Sequence, residues 1–166
     1  MFMSRFSSLS AFVTNGTSHL ANGPVALILA EDLAEIESTL RHHLMCGFRQ
    51  IILFAPTEAQ PDPKLADRVV QVDHAAPHDG GLDWIVNAVL LHCPIGIWLY
   101  AGYNAEYLMY PFCETRRVDE MLAFHAEERR DAMLAYVVDL YPKDLVTHPT
   151  GVDMDNPHFD RMGYFA

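Results

Sequence analysis

Four residues, Tyr103-Asn104-Ala105-Glu106, stand just past an apolar run from Ile95 to Tyr100. The run is short, rich in branched and aromatic side chains, and bounded by Pro94 and Gly102. It reads as a buried strand. Ligands of α/β proteins sit outside the carboxyl ends of strands, so the turn from Tyr103 to Glu106 is where chemistry is expected. It offers one carboxylate, Glu106, and one neutral amide, Asn104. Glu31 holds the matching position after an earlier apolar run, Val25 to Ala30. Asp83 and Asp139 have weaker claims, as residues that cap an element or face solvent.

Nine histidines invite a metal reading. His42 and His43 are neighbours on a predicted helix and point in different directions. His74 and His78, flanked by Asp73 and Asp79, come nearer to ligand spacing. Pro77 excludes a regular helix there, so such a site would rest on a loop, and a solvated acidic loop is the competing reading. His125 falls on an apolar helix face and reads as a hydrogen-bonded core residue. The Walker motif, a G-x-G-x-x-G after the first strand and the G-x-S-x-G elbow are all missing, against a P-loop NTPase, an ordinary nicotinamide dehydrogenase and an α/β-hydrolase.

These groups must be positioned by the rest of the chain. Its 166 residues, 51% of them hydrophobic, suit a globular domain with a real core. No apolar run approaches the roughly 20 residues that span a bilayer. A net charge of -11 argues against non-specific binding to nucleic acid or anionic lipid and fits a protein that handles small molecules. Cys46, Cys93 and Cys113 are odd in number and far apart in sequence. They imply neither a disulfide framework nor a zinc knuckle, and a reducing, cytoplasmic setting is expected.

Residues 1–22 are rich in Ser and Thr and lack the apolar core of a signal peptide. They are expected to form a flexible arm or an upstream edge element. Val25 to Ala30 reads as a central strand. A helix is expected from Asp32, with Glu35 completing a capping box; its stripe is Leu33, Ile36, Leu40 and Leu44, and Gly47 ends it. Gln50 to Phe54 and Arg68 to Val72 read as strands. Leu82, Ile85, Val86, Val89 and Leu90 share a helical face that Pro94 stops. Val118, Met121, Leu122 and His125 form another, with Thr115 a candidate N-cap and Arg129 and Arg130 near its end. Ala132 to Leu140 reads as one more strand. The alternation predicts a single α/β domain over 23–166, with a mostly parallel sheet and helices on both faces.

Several stretches carry a resemblance. Leu27-Ile-Leu-Ala-Glu31, His43-Leu-Met-Cys-Gly-Phe48, Gln50-Ile-Ile-Leu-Phe54 and the run Trp98 to Leu108 resemble glycosyltransferase family 2-like proteins of the GT-A fold. So do Tyr110-Pro-Phe-Cys-Glu-Thr-Arg116, Glu127-Glu-Arg-Arg130, Val138-Asp-Leu-Tyr141 and His158-Phe-Asp-Arg-Met-Gly-Tyr164. The resemblance implies a GT-A, Rossmann-like three-layer sandwich. It implies transfer of a sugar from a nucleotide-diphosphate sugar to the hydroxyl of an acceptor glycan or similar compound. In such enzymes an Asp-x-Asp pair holds Mg²⁺ or Mn²⁺ against the diphosphate. Here Tyr103 and Ala105 stand for the two aspartates, and Glu106 is retained. Ala30-Glu31 stands for the family's Asn-Glu, and Ala55-Pro56-Thr57 for an Asp-containing turn. Glu31, Asn104 and Glu106 are thus the implied nucleotide-sugar contacts, with Glu106 the one carboxylate for a metal. Loss of the pair removes several kcal/mol of electrostatic stabilisation, which implies a pseudoenzyme. Family members often continue past this chain's end into an acceptor-binding region, so a shortened C-terminus is implied too.

Two alternatives come from other classes. Leu29-Ala-Glu31-Asp32 and Val72-Asp73 resemble a response-regulator receiver domain, with Glu31 and Asp32 holding Mg²⁺ and Asp73 accepting phosphate. There the hydroxyl position falls on Tyr100, and Tyr110 stands for the expected lysine. The third reading is an assembly module that uses Tyr103, Tyr107, Tyr110 and Phe112 as a contact patch. Its competitor is that alternate aromatics pack in the core.

Overall fold

The runs Val25–Leu29 and Gln50–Ala55 are buried along their whole length, as strands covered on both faces of a parallel sheet must be. In the computed structural model, which describes residues 3–76 and 78–159, they are β2 and β3 of a five-stranded sheet. The other strands are β1 (Ser4–Phe6), β4 (Val69–Asp73) and β5 (Leu99–Tyr103). The order is β1-β4-β3-β2-β5, and every pairing is parallel. Leu29, the last residue of β2, lies opposite both Phe54 and Tyr103. The fold is an α/β three-layer sandwich of Rossmann type, as the alternation of elements predicts. The chain divides into two compact units, Met1–Glu128 and Arg129–Ala166, in place of the single domain expected from residue 23 onward.

One face of the sheet packs Ala26, Ile28, Ile51 and Leu53 against Ile36 and Leu40 of α2 (Ile36–Cys46) and Val118 of α4 (Val118–Glu127). The other packs Leu27, Leu29, Ile52 and Phe54 against Phe12 of α1 (Leu9–Asn15) and Ile85 and Val89 of α3 (Leu82–Leu90). Among the described residues no helix is long and apolar enough to cross a membrane.

Of the two expectations for residues 1–22, a flexible arm or an edge element, the part that is described forms the edge element. β1 pairs with β4, Ser4 opposite Val70. Ser8 caps α1 by accepting the Ala11 N–H at 3.1 Å. Phe12 and Leu20 are fully buried, and Phe12 stands edge-on to Phe6 and Phe54. The Ser- and Thr-rich composition hides an apolar set, Phe6, Leu9, Phe12 and Val13, that needs a sheet face to cover.

Three other boundaries shift. α2 starts at Ile36, because Glu35 has a left-handed φ of 51° and Asp32 turns its side chain to the Ala34 N–H. Gly47 ends it as expected, at φ 109°. β5 starts at Leu99, because Pro94 to Ile97 form a turn that leaves Ile95 exposed. Arg117, not Thr115, caps α4, with Glu120 returning to the Arg117 N–H at 2.9 Å.

α2 also carries a buried polar group. His43 is inaccessible to solvent. Its Nδ1 donates to the Thr39 carbonyl at 2.8 Å, and its Nε2 has no partner. The rings of Tyr100 and Phe48 lie 4.9 and 5.7 Å away. Burial, chiefly, lowers its pKa to about 4.

In the second unit Leu140–Tyr141 (β6) pairs antiparallel with His158–Phe159 (β7). The strand expected over Ala132 to Leu140 is not formed. Between Arg129 and Asp139 there is no regular secondary structure, and Leu134, Tyr136, Val137 and Val138 are exposed. A strand needs a neighbour to take its ladder bonds, and no described segment supplies one. Pro77 of the expected loop, and Asp160 to Tyr164 of the C-terminal resemblance, lie outside the described residues.

Candidate functional site

The sheet changes direction at β2: β3 and β4 follow on one side, and β5 returns to the other. The crevice at the carboxyl ends of β2 and β5 is therefore the topological switch point, where open α/β sheets bind ligands. Glu31 and Asp32 leave β2 there, and Tyr103 to Glu106 leave β5.

Asn104 ties the two loops together. Its backbone N–H donates to Leu29 O at 3.0 Å. Its Oδ1 accepts the Glu31 N–H at 3.0 Å, and its Nδ2 donates to Asp32 Oδ1 at 2.6 Å and to Ala34 O at 2.9 Å. Both amide protons are used. Asn104, expected as a neutral ligand, is here a strap between strand ends. Glu31 itself is exposed, its backbone held by the Asn104 amide oxygen.

Glu106 folds back on its own turn. Its Oε2 accepts the Tyr103 N–H at 2.9 Å. Ala105, at a left-handed φ of 58°, donates its N–H to Thr39 Oγ1 at 2.9 Å. Gly102 lies beneath this turn. A Cβ there would meet Tyr100 Oη at 2.5 Å and Glu106 Oε2 at 2.8 Å. Burial first, and then the charge of Glu106, push the Tyr100 phenol up to about 12. The implied Mg²⁺ or Mn²⁺ would find Glu106 and Asp32 oxygens already engaged in hydrogen bonds and an amide oxygen already accepting one. These residues do not fit a dedicated hard-cation site, which wants several oxygen ligands. Among the described residues no group of three His, Cys, Asp or Glu could hold a metal ion.

The remaining candidates disperse. Asp73 is paired with Arg5 at 2.7 Å, His74 is buried with Nε2 on Gly80 O at 2.9 Å, and Asp79 accepts the Ala75 N–H at 2.8 Å. His78 is exposed. Asp83 sits in the first turn of α3, where its charge suits the helix dipole. Asp139 belongs to the second unit. The receiver reading needs Asp73 beside Glu31 and Asp32, but β3 lies between β2 and β4. Of the four aromatics, Tyr110 is buried and donates to Arg116 O at 2.8 Å, whereas Phe112 is exposed. Tyr107 meets Ser38 Oγ at 2.9 Å.

Sequence reasoning missed one hollow. An open cleft of about 330 Å³ lies over the carboxyl ends of β3 and β4, between Thr57, Glu58, Asp73 and Asp79. Ser7 closes it beyond β1, and that residue carried no signal while the N-terminus read as an arm. Neither a family model, nor a curated protein, nor a solved structure matches this chain.

Proposed function

We propose that the first unit is a glycosyltransferase-like module that binds a nucleotide-diphosphate sugar at the switch point. The sequence resemblance suggests the ligand class. The single observation that carries the reading is the Asn104 strap, which gathers Glu31, Asp32 and the Tyr103–Glu106 turn at one crevice. Glu31 is the contact proposed for the nucleotide sugar, and Glu106 shapes the loop beside it. The paired carboxylates that would stabilise a departing diphosphate are absent from Tyr103 and Ala105. The proposal is therefore binding without metal-assisted transfer, that is, a pseudoenzyme. An acceptor hydroxyl compound and a cytoplasmic setting belong to the same proposal, the latter suited to three free cysteines.

Calorimetric titration with UDP and GDP, with and without Mn²⁺, tests it. Binding of one nucleotide is expected, with Mn²⁺ changing the affinity by less than about threefold. Glu31→Ala should weaken it. No binding under either condition would remove the reading, and steep Mn²⁺ dependence would overturn its metal-free part.

A further inference from the structure

The cleft over the carboxyl ends of β3 and β4 is built from other strand ends than the switch point. Its volume of about 330 Å³ stands at the small end of the roughly 300–1,000 Å³ typical of small-molecule sites. The Arg5 guanidinium beside it is already used, with Nε on Asp73 Oδ1 at 2.7 Å and Nη2 on Thr57 O at 2.9 Å. That pairing offsets the charge of Asp73. Glu58 and Asp79 also line the cleft, and neither forms an ion pair among the described residues. Asp79 Oδ2 accepts the Ala75 N–H at 2.8 Å, which leaves its charge uncompensated.

His74 gives an independent sign of what the cleft takes. It lines the cleft and is 3% exposed. Its Nε2 lies 2.9 Å from Gly80 O. A carbonyl only accepts, so Nε2 carries the proton and, in the neutral ring, Nδ1 keeps its lone pair. No described residue bonds to Nδ1. Unlike His43 Nε2, which is sealed in the core, Nδ1 is not cut off from solvent, and the cleft is the hollow that His74 lines. We infer that this cleft binds a small organic cation bearing a primary ammonium group. An ammonium brings three N–H donors, a positive charge and no acceptor. That is the complement of two uncompensated carboxylates and a recessed imidazole lone pair. A phosphate would meet like charge, with Arg5 already committed. A neutral polyol could reach the lone pairs but would leave both charges uncompensated.

Calorimetric titration of the full chain with putrescine tests the inference, with butanediol as the neutral probe of the same carbon length. Putrescine should bind with a Kd of about 1 mM or tighter, and butanediol should not bind. Glu58→Gln and Asp79→Asn should each weaken putrescine about threefold or more. Both keep an acceptor oxygen, so Asp79→Asn still serves the Ala75 N–H, and circular dichroism should show each variant folded. Glu114→Gln removes an exposed acid outside the cleft and should leave the affinity unchanged. In protein with isotope-labelled histidine, the His74 Nδ1 resonance should move as putrescine is added, while the His43 ring stays still. No binding at about 10 mM putrescine would overturn the inference, as would equal binding of butanediol. So would a Glu114→Gln loss as large as that of Glu58→Gln, which would mean general attraction to a chain of net charge -11. An unmoved His74 resonance would place the amine elsewhere and overturn it too.

Discussion

Asn104 Oδ1 accepts the backbone N–H of Glu31 at 3.0 Å, across the line where the sheet reverses direction. One side chain thereby fixes the separation of the two loops that frame the crevice. Its amide protons finish the connection to Asp32 and Ala34.

Asn104→Ala removes three hydrogen bonds and leaves the Glu31 N–H to water. A loss of about 1–3 kcal/mol of stability is expected, read from urea denaturation. Nucleotide affinity should fall as well, since the loops lose their tie. Retention of both would show that the crevice holds its shape without the strap.

Gly102→Ala places a methyl against Glu106 Oε2 and Tyr100 Oη. Overpacking of this kind costs about 1–3 kcal/mol. Glu106 should be driven off the Tyr103 N–H, and a crystal structure of the variant would show the carboxylate displaced. Glu106→Gln keeps an acceptor oxygen at that N–H and should be milder.

His43 predicts a pH dependence. Its folded-state pKa is lowered from 6.5 to about 4, mainly by burial. The unfolded chain therefore takes up the proton first. The stability that neutral His43 protects is fully present above pH 6.5 and is lost as pH falls from there through 4. Between pH 7 and pH 5 this group should cost about 2 kcal/mol. Urea titrations at the two pH values, compared with His43→Leu, should show a smaller drop in the variant.

Phe12→Ala should cost about 3–5 kcal/mol, as expected for an aromatic side chain removed from a packed core. A mobile arm would leave thermal unfolding unchanged. The variant therefore separates a packed edge element from a loose one in a single measurement.

The sheet was readable because β2 and β3 are unbroken apolar runs, and two-face burial demands that pattern. α2 and α3 were readable from their stripes, and Gly47 from its left-handed end. What misled the reading was chemistry that depends on distant partners. The Asp32 carboxylate looked like a helix cap but answers Asn104, seventy-odd positions later in the chain. Pro94 and Gly96 shorten the expected strand by folding into a turn. Phe12 sat in a Ser- and Thr-rich segment whose composition outweighed its spacing. At the site, residue identity placed Glu31, Asn104 and Glu106 near one crevice, but their bonding could not be read. An amide that straps and a carboxylate that folds back have the same letters as ligands.

The edge strand β1 bears on the order in which the chain matures. Ser4 leaves the ribosome ahead of its partner Val70, which must follow before the strand has anything to pair with. β1 is thus made well before it is able to dock. During that interval Phe12 lacks its cover from Phe54, and the outer edge of β4 is bare once made. Closing so long a loop is slow compared with local pairing. A nascent chain would therefore need protection at this edge, and a bulky fusion ahead of Ser4 would prolong the exposure.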